Sequence, residues 1–416
     1  VGNLLWVNTY GVAGSINSAT RVAVDARGNP YFIGEAQGIF DFDLGSRDRF
    51  IVAGTGSSFV HRLTPNGEFF WARTVQDGNS SAEAIAVKGS HVYITGSFSG
   101  TPDFDHSSQS SRLTASGTLD VYVQKMDTSG DFNWAKSIPS APNKFGFGFG
   151  ITADGAGNVY TTGLFEATAD FDPGTGVSNL VSAGDNDIFV QKLSPSGNFV
   201  WAKGMGGSDS DMGRSIIADA AGNVFTTGRF KSTCDFDPGP GVNNQTSAGD
   251  DDFFVQKLDA LGNLVWVRAI GGSGSDYGKD ITLDAAGNVY LTGEFSTTCD
   301  FDPGSGIHNL TSAGSSDIFV QKLDASGNFA WVKGMGSSSG SSESGVGIAL
   351  DASNNIYTTG YFAGTADFDP GPATHNLNAG GVFVQKLSPC PAPTASFSAS
   401  PSGLSASFTD ASAGGT

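Results

Sequence analysis

Apolar residues along this chain fall in short runs of Val, Ile, Phe, Tyr and Thr that break at Gly, Asn, Asp or Ser. Long helices need Ala, Leu, Glu and Lys over many uninterrupted positions, and no stretch offers that, so the pattern predicts strands and tight turns throughout. Residues 198–262 show one cycle. Asn198 to Lys203 (NFVWAK) reads as a strand, and a Gly-rich GGSDSDMG follows. Ser215–Asp219 is a second strand, and Ala-Ala-Gly-Asn turns it into a third, Val224–Phe230. An acidic segment, CDFDPGPGVNNQTSAGDD, then leads to Phe253–Leu258.

The cycle repeats. The six tryptophans stand at 6, 71, 134, 201, 266 and 331, separated by 65, 63, 67, 65 and 65 residues. Four hairpin-linked strands per repeat is the composition of a propeller blade, whereas a solenoid typically uses shorter units. The expected fold is therefore all-β: a six-bladed β-propeller of four-stranded blades over residues 1–388. The last unit stops one strand short, after Val382–Leu387, so the leading segment Leu4–Asn8 is expected to pair there and close the ring, removing exposed sheet edges.

The 416 residues carry 41 acidic against 22 basic side chains, a formal charge of −19. That field repels phosphate backbones and anionic membranes, so neither nucleic acid nor direct membrane insertion is expected, and multivalent cations are the natural counter-charge. No apolar run approaches the roughly 18 residues that span a bilayer. Val1–Trp6 has no charged n-region or cleavage site, so any export signal is expected upstream or already removed. Cys234 and Cys299 occupy matching places in adjacent repeats, where Ala169 and Ala366 stand elsewhere, so a small buried side chain is expected.

Gly-Gly-Ser-Gly-Ser-Asp-Tyr-Gly (271–278), Ala-Ala-Gly-Asn-Val-Tyr-Leu-Thr-Gly (285–293) and Asp-Ile-Phe-Val-Gln-Lys-Leu-Asp-Ala-Ser-Gly (317–327) resemble the SBBP bacterial β-propeller repeat. The resemblance recurs six times over residues 1–388 and implies a secreted or surface-exposed protein. The chain departs from that pattern in its repeat count and in a longer insert carrying Asp-Phe-Asp. Residues 389–394 form a Pro-rich linker, and 395–416 resemble the start of a PKD-type immunoglobulin-like domain, incomplete at Thr416. The layout is similar to type IX-secreted proteins of Bacteroidota. It implies an extracellular or cell-surface location and further domains of a longer chain.

In a four-stranded blade alternate connections emerge on opposite faces. Short turns such as Asp219–Asn223 and Asp259–Asn263 share one face. The loops and long acidic segments share the other, gathering Asp185, Asp187, Asp209, Asp211, Asp250, Asp251, Asp252, Asp276 and Glu343. That loop-rich face is the expected binding surface.

Asp-Phe-Asp occurs in every unit: Asp41 and Asp43, Asp103 and Asp105, Asp170 and Asp172, Asp235 and Asp237, Asp300 and Asp302, Asp367 and Asp369. Two same-side carboxylates followed, in four units, by a Pro-Gly turn make a candidate Ca²⁺ site. The alternative is that they accept turn N–H bonds or pair with Arg62, Lys125, Lys192, Lys257, Lys322 and Lys386. The intervening Phe42, Phe104, Phe171, Phe236, Phe301 and Phe368 are expected in the core, as are the tryptophans. No nucleophile, metal-ligand or catalytic motif is present, and six equivalent carboxylate pairs do not supply the one raised and one ordinary carboxyl that acid–base chemistry needs. The expected function is a noncatalytic extracellular binding or structural module, an adhesin, surface-layer or filament component. It would present its acidic face to glycan, protein or cations. The alternative is a carbohydrate-active or other hydrolytic propeller.

Overall fold

The computed structural model describes residues 5–8, 17–43, 50–337, 340–389, 397–402 and 405–410. They hold strands and turns and no helix. Each repeat is an antiparallel meander in a propeller-like arrangement. In the first, Asn17–Val24, Pro30–Asp41, Phe50–Leu63 and Phe69–Thr74 pair in chain order. Inner strands of the later repeats are Asn79–Lys88, Gly146–Ala153, Met212–Ala218, Tyr277–Leu283 and Ser344–Leu350. The third strand of a repeat sits mid-sheet with both faces covered by neighbouring sheets, which is why Phe253–Leu258 is buried at nearly every position rather than at alternate ones.

Six separate four-stranded sheets do not appear. The described residues form four sheets of four or more strands, one of them ten-stranded, and the last repeat contributes a three-stranded sheet. The ten-stranded sheet arises because two-residue rungs, Gly206 and Gly207 with Asp235 and Cys234, stitch the third repeat to the fourth. Gly271 and Gly272 do the same with Asp300 and Cys299.

The expected closing ladder is also not formed. Among the described residues Gly381–Leu387 pairs only with Ile356–Phe362, leaving Val382 and Val384 more than three-quarters exposed on an open edge. Leu5–Asn8 lies instead against the first repeat's outer turn, where Trp6 Nε1 donates to Pro65 O at 2.9 Å and Asn8 Nδ2 to Gly67 O at 2.7 Å. The same seat recurs around the molecule: Trp71 Nε1 donates to Thr128 O, Trp134 to Pro195 O and Trp201 to Ala260 O. Each of these tryptophans thus rests on the next repeat's turn, and most remain half-buried rather than in the core. The attraction of that seat fixes Trp6 without requiring a strand partner.

The long acidic segments are not loops. In the fourth repeat, Val224–Asp235 and Asn244–Leu258 stay paired outward to Asp235↔Asn244, with one irregularity between Lys231 and Thr233. Asp-Phe-Asp ends this outer hairpin. Its six phenylalanines are buried, from 0% to 7% exposed, as the pattern predicts. Cys234 and Cys299 are buried and unbridged. Beyond the repeats, Phe397–Ser402 and Ser405–Asp410 pair as a hairpin, while residues 390–396 and 411–416 of the expected linker and PKD-like start lie outside the described residues.

Candidate functional site

The Asp-Phe-Asp carboxylates are engaged with backbone amides. Asp170 Oδ1 accepts from Asp172 N at 3.0 Å and Ser178 N at 2.8 Å, and Asp172 Oδ1 from Gly174 N at 2.8 Å. In the fourth repeat Asp235 accepts from Asp237 N and Asn243 N, and Asp237 from Gly239 N. In the fifth, Asp300 accepts from Asp302 N at 3.1 Å and His308 N at 2.8 Å, and Asp302 Oδ1 accepts from Gly304 N at 2.8 Å. In the sixth, Asp367 accepts from Asp369 N at 3.0 Å and His375 N at 2.8 Å, and Asp369 Oδ1 accepts from Gly371 N at 2.8 Å. Asp103 accepts from Asp105 and Ser111, Asp105 from Ser107, and Asp41 from Asp43. The first Asp closes the hairpin end and the second caps the following turn.

These amide bonds are the contacts the structure shows for the carboxylates that the residue pattern offers to calcium. Among the described residues no group of three or more His, Cys, Asp or Glu is placed to hold a metal ion. That statement covers Asp41, Asp43, Asp103, Asp105, Asp170 and Asp172, and equally Asp235, Asp237, Asp300, Asp302, Asp367 and Asp369. An Oδ1 that accepts an amide two residues on, as in Asp302 and Asp369, is turned into its own loop. The intervening Phe carbonyl is pinned by a mid-strand glutamine: Gln191 Nε2 donates to Phe171 O at 2.7 Å and Gln256 Nε2 to Phe236 O at 2.7 Å.

The repeated bases serve other partners. Lys125 Nζ donates to Pro195 O at 3.0 Å, Lys192 Nζ to Ala260 O at 3.3 Å and Arg62 Nη1 to Thr128 O at 2.5 Å. Lys257 lies over Phe225, while Lys322 and Lys386 approach Asp284 and Asp351 at 3.8 and 3.6 Å. Asp284 and Asp351 belong to the short turns, so the expected pairing with Asp-Phe-Asp does not occur: these bases point to the opposite end of each sheet.

Much of the expected acidic face is interior. Asp211, Asp276 and Glu343 are 0% exposed, and Asp187, Asp251, Asp252 are also buried, whereas Asp185 and Asp250 are exposed. Asp211 sits at the joint between the third and fourth repeats, accepting from Gly207 N at 2.7 Å and Lys231 N at 3.0 Å. Burial pushes its carboxyl up to about 7, with the neighbouring Asp187 adding to the rise and the two amides opposing it. Asp187, likewise raised by burial to about 6, accepts from Ala183 N, and its Oδ1 has no hydrogen-bond partner among the described residues. Asp252 and Asp276 repeat the pair at the next joint, raised by burial to about 6 and about 7. These are joint residues, repeated with the architecture.

The part of the molecule that is not repeated lies at its centre. The inner strands of all six repeats line one cavity of about 660 Å³. Every inner strand carries a β-bulge against its neighbour, and the ladder skips one residue: Thr20, Glu83, Phe149, Arg214, Lys279 and Val346. A bulge re-aims the extra side chain and is favoured next to functional sites. Six equivalent positions thus carry six different side chains.

Hydrogen bonds tie this rim together. Asp280 Oδ1 accepts from Ser215 Oγ at 2.6 Å in the preceding repeat and Oδ2 from Ile348 N at 2.9 Å in the following one. Thr20 Oγ1 donates to Ala82 O, and Arg21 Nη1 reaches from the first repeat to Val346 O in the last at 3.0 Å. Asp280→Ala is expected to cost about 2 kcal/mol by orphaning the Ile348 amide and Ser215 hydroxyl, read as a lower denaturant midpoint at unchanged m-value.

Arg214 differs from its neighbours. Its guanidinium lies 4.9 Å from the Phe149 ring and has no hydrogen-bond or ion-pair partner among the described residues. Burial holds its pKa below the usual arginine value, Arg21 adding to the fall and Glu83 and Asp280 opposing it. Beside it a second cavity of about 280 Å³ is lined by Arg214, Arg229, Tyr277 and Lys279. There Arg229 is paired with Asp251 at 2.7 Å and Lys279 with Glu294 at 3.1 Å. Motif reading does not reveal this rim. A skipped residue leaves no periodic signature, and the six bulge positions share no residue type.

A family model described as "Beta-propeller repeat" (SBBP) matches residues 265–294. An uncharacterized WD repeat-containing protein, L264, of Acanthamoeba polyphaga mimivirus is 25% identical over 243 residues, 50% of this chain and 17% of that protein. The regulatory protein FlaEY of Caulobacter vibrioides is 24% identical over 297 residues, 66% of this chain and 29% of that protein. The chain therefore spans less than a third of either relative. Among solved structures, a member of the DUF4221 family from Bacteroides vulgatus aligns with 68% of this chain and 92% of its own at 8% identity, with a TM-score of 0.24.

Proposed function

We propose that this β-propeller repeat chain is a noncatalytic binding module of an extracellular or cell-surface protein, taking its ligand at the central channel rather than across the outer acidic loops. One observation carries the reading. The bulge position carries a different side chain in each of the six repeats, and asymmetry is what a single binding site requires of a pseudo-symmetric scaffold. In this reading the six Trp repeats act as six blades around the channel. The Phe397–Asp410 hairpin opens a PKD-like module of a longer surface protein, as in Bacteroidota proteins exported by the type IX route. A glycan or protein at the cell surface is the class of partner this predicts.

Catalysis has less support. The carboxyls with raised pKa, Asp187, Asp211, Asp252, Asp276 and Asp317, are locked in repeated joints and hydrogen-bonded to backbone amides. A glycan array combined with a hydrolase panel on the purified chain tests the reading: saturable binding without turnover is expected, and turnover of any substrate would overturn it.

The same preparation tests calcium at the twelve Asp-Phe-Asp carboxylates. As amide caps they need no metal, so melting with EDTA and with added Ca²⁺ should give the same midpoint. Asp235→Ala, which frees the Asp237 and Asn243 amides, should lower stability by about 1–2 kcal/mol. A midpoint that falls with EDTA would assign the caps to calcium.

A further inference from the structure

Resting on the channel-binding reading, we infer that the channel takes a carboxylated sugar, its carboxylate held by Arg214 and its ring laid on an aromatic stripe that only the third repeat carries. That stripe is Phe145, Phe147 and Phe149, three half-buried rings separated by the buried Gly146 and Gly148. Phe145 and Phe147 have ring centroids 5.9 Å apart, and Phe147 and Phe149 are stacked at 5.6 Å with planes 6° apart. The equivalent of Phe147 is Met212 in the fourth repeat, Tyr277 in the fifth and Ser344 in the sixth, so no other inner strand presents such a ladder.

Half-buried aromatic rings in a row, the last of them, Phe149, lining the cavity, need an architectural reason or an occupant. The core does not use them: the buried clusters of this repeat are built from Ile151, Phe165, Phe171 and Phe189 and exclude all three. The stripe ends at Arg214. A guanidinium is a planar fork that matches a carboxylate bidentately, and it keeps its charge even where burial lowers its pKa. Stacked on Phe149 and without a polar partner, it has already lost part of its hydration, so an incoming carboxylate meets less competition from water.

The remaining lining is largely aliphatic, which suits the apolar face of a sugar ring, with a few hydroxyl-bearing residues among it. Thr152 and Thr282 stand among the aliphatic side chains that line the cavity, and about 660 Å³ lies within the range of small-molecule sites. Charge selects the size of the ligand. With a formal −19 on the chain, a long polyanion is repelled at the outer surface, whereas one or two sugars reach Arg214 inside.

The experiment is calorimetric titration of the intact chain with four probes: a digalacturonate, the neutral disaccharide of the same linkage, inorganic phosphate and phenylacetate. Digalacturonate should bind at least tenfold more tightly than the other three. Arg214→Gln should remove that preference by weakening digalacturonate about tenfold or more while leaving the neutral disaccharide unchanged. Phe147→Ala should weaken both sugars. Unchanged melting of each variant shows that the scaffold is intact, and Arg214→Lys, which keeps the charge and loses the fork, should behave like Arg214→Gln.

Equal affinity for charged and neutral sugar, phosphate binding as tight as digalacturonate, or sugar binding indifferent to Arg214 would each overturn the inference. Glycan binding that ignores both Arg214 and Phe147 would leave the binding-module reading standing. Hydrolysis of the disaccharide would remove that reading instead.

Discussion

Raising the pH from about 5 to about 8 is expected to destabilise this protein by on the order of 5 kcal/mol, lowering its melting midpoint by on the order of 10 °C. The cause is the two joint pairs, Asp187 with Asp211 and Asp252 with Asp276. Burial holds these carboxyls at about 6 and about 7, against 3.8 for an unhindered aspartate. The folded protein therefore binds more protons than the unfolded chain between about pH 4 and pH 7. Stability falls as pH rises through that window and levels off above it. Because the members of a pair interact, the four shifts do not add fully, and roughly one ionisation per joint carries the cost.

The short-turn aspartates act in the other direction. Burial works against Asp154, but hydrogen bonds from Asn158, Tyr160 and Ala156 outweigh it and hold its carboxyl below the usual range. Asp25 and Asp284 behave alike. Their contribution is present above about pH 4 and is lost as pH falls through their depressed values. The two groups together place the stability maximum near pH 4–5. Asp187→Asn is the discriminating variant. Its carboxamide oxygen can keep the Ala183 amide, and its NH₂ occupies the side where Oδ1 has no partner. It should raise the midpoint at pH 8, do little at pH 5 and make the profile between them shallower in part, since Asp211 and the second joint still titrate. A profile as steep as the parent's would place the titration elsewhere.

How much of this was legible in the sequence follows from the range of the interactions. Tryptophan spacing and turn signals are local and periodic, and they gave the all-β repeats, the meander and the burial of Phe171 and its counterparts. Burial of Asp211 depends on Lys231 N and on Asp187, 20 and 24 positions away, which no local pattern encodes. An acidic residue in a Gly-rich segment looks solvated until the next repeat covers it. The bases failed for the opposite reason. Lys322 lies at a fixed place in the repeat, but its side chain runs toward the Asp284 turn, not toward Asp300 or Asp302. The outer hairpin was hidden by Gly, Pro and Asn residues that read as loop, though Thr233 and Thr246 pair across it.

The channel rim was encoded, although not where motif reading looks. In every repeat a glycine stands in the second strand opposite the bulge: Gly34, Gly96, Gly163, Gly228, Gly293 and Gly360. A Cβ on Gly228 would stand 1.9 Å from Met212 O, and on Gly163 1.8 Å from Phe147 O. The obstacle is backbone, so no rotamer relieves it. The bulge brings that carbonyl close, and the glycine is what admits it. Constant glycines thus hold the six variable side chains in place.

Gly228→Ala is therefore expected to cost about 3 kcal/mol or more, at the upper end of what overpacking does, because relief requires the inner strand to move. The cheapest relief is loss of the bulge, a one-residue slip that would turn Arg214 and the residues before it to the opposite face. Channel binding should therefore vanish at temperatures where the variant is still folded, separating the rim from global stability. Gly155→Ala is the control: its added Cβ meets nothing within 4 Å, so its stability should stay within about 0.5 kcal/mol of the parent, with binding intact. Denaturant midpoints and digalacturonate titrations on the two variants decide the matter. A Gly228→Ala protein with parental stability would mean that the inner strand tolerates a second register and that the bulge does not fix the rim.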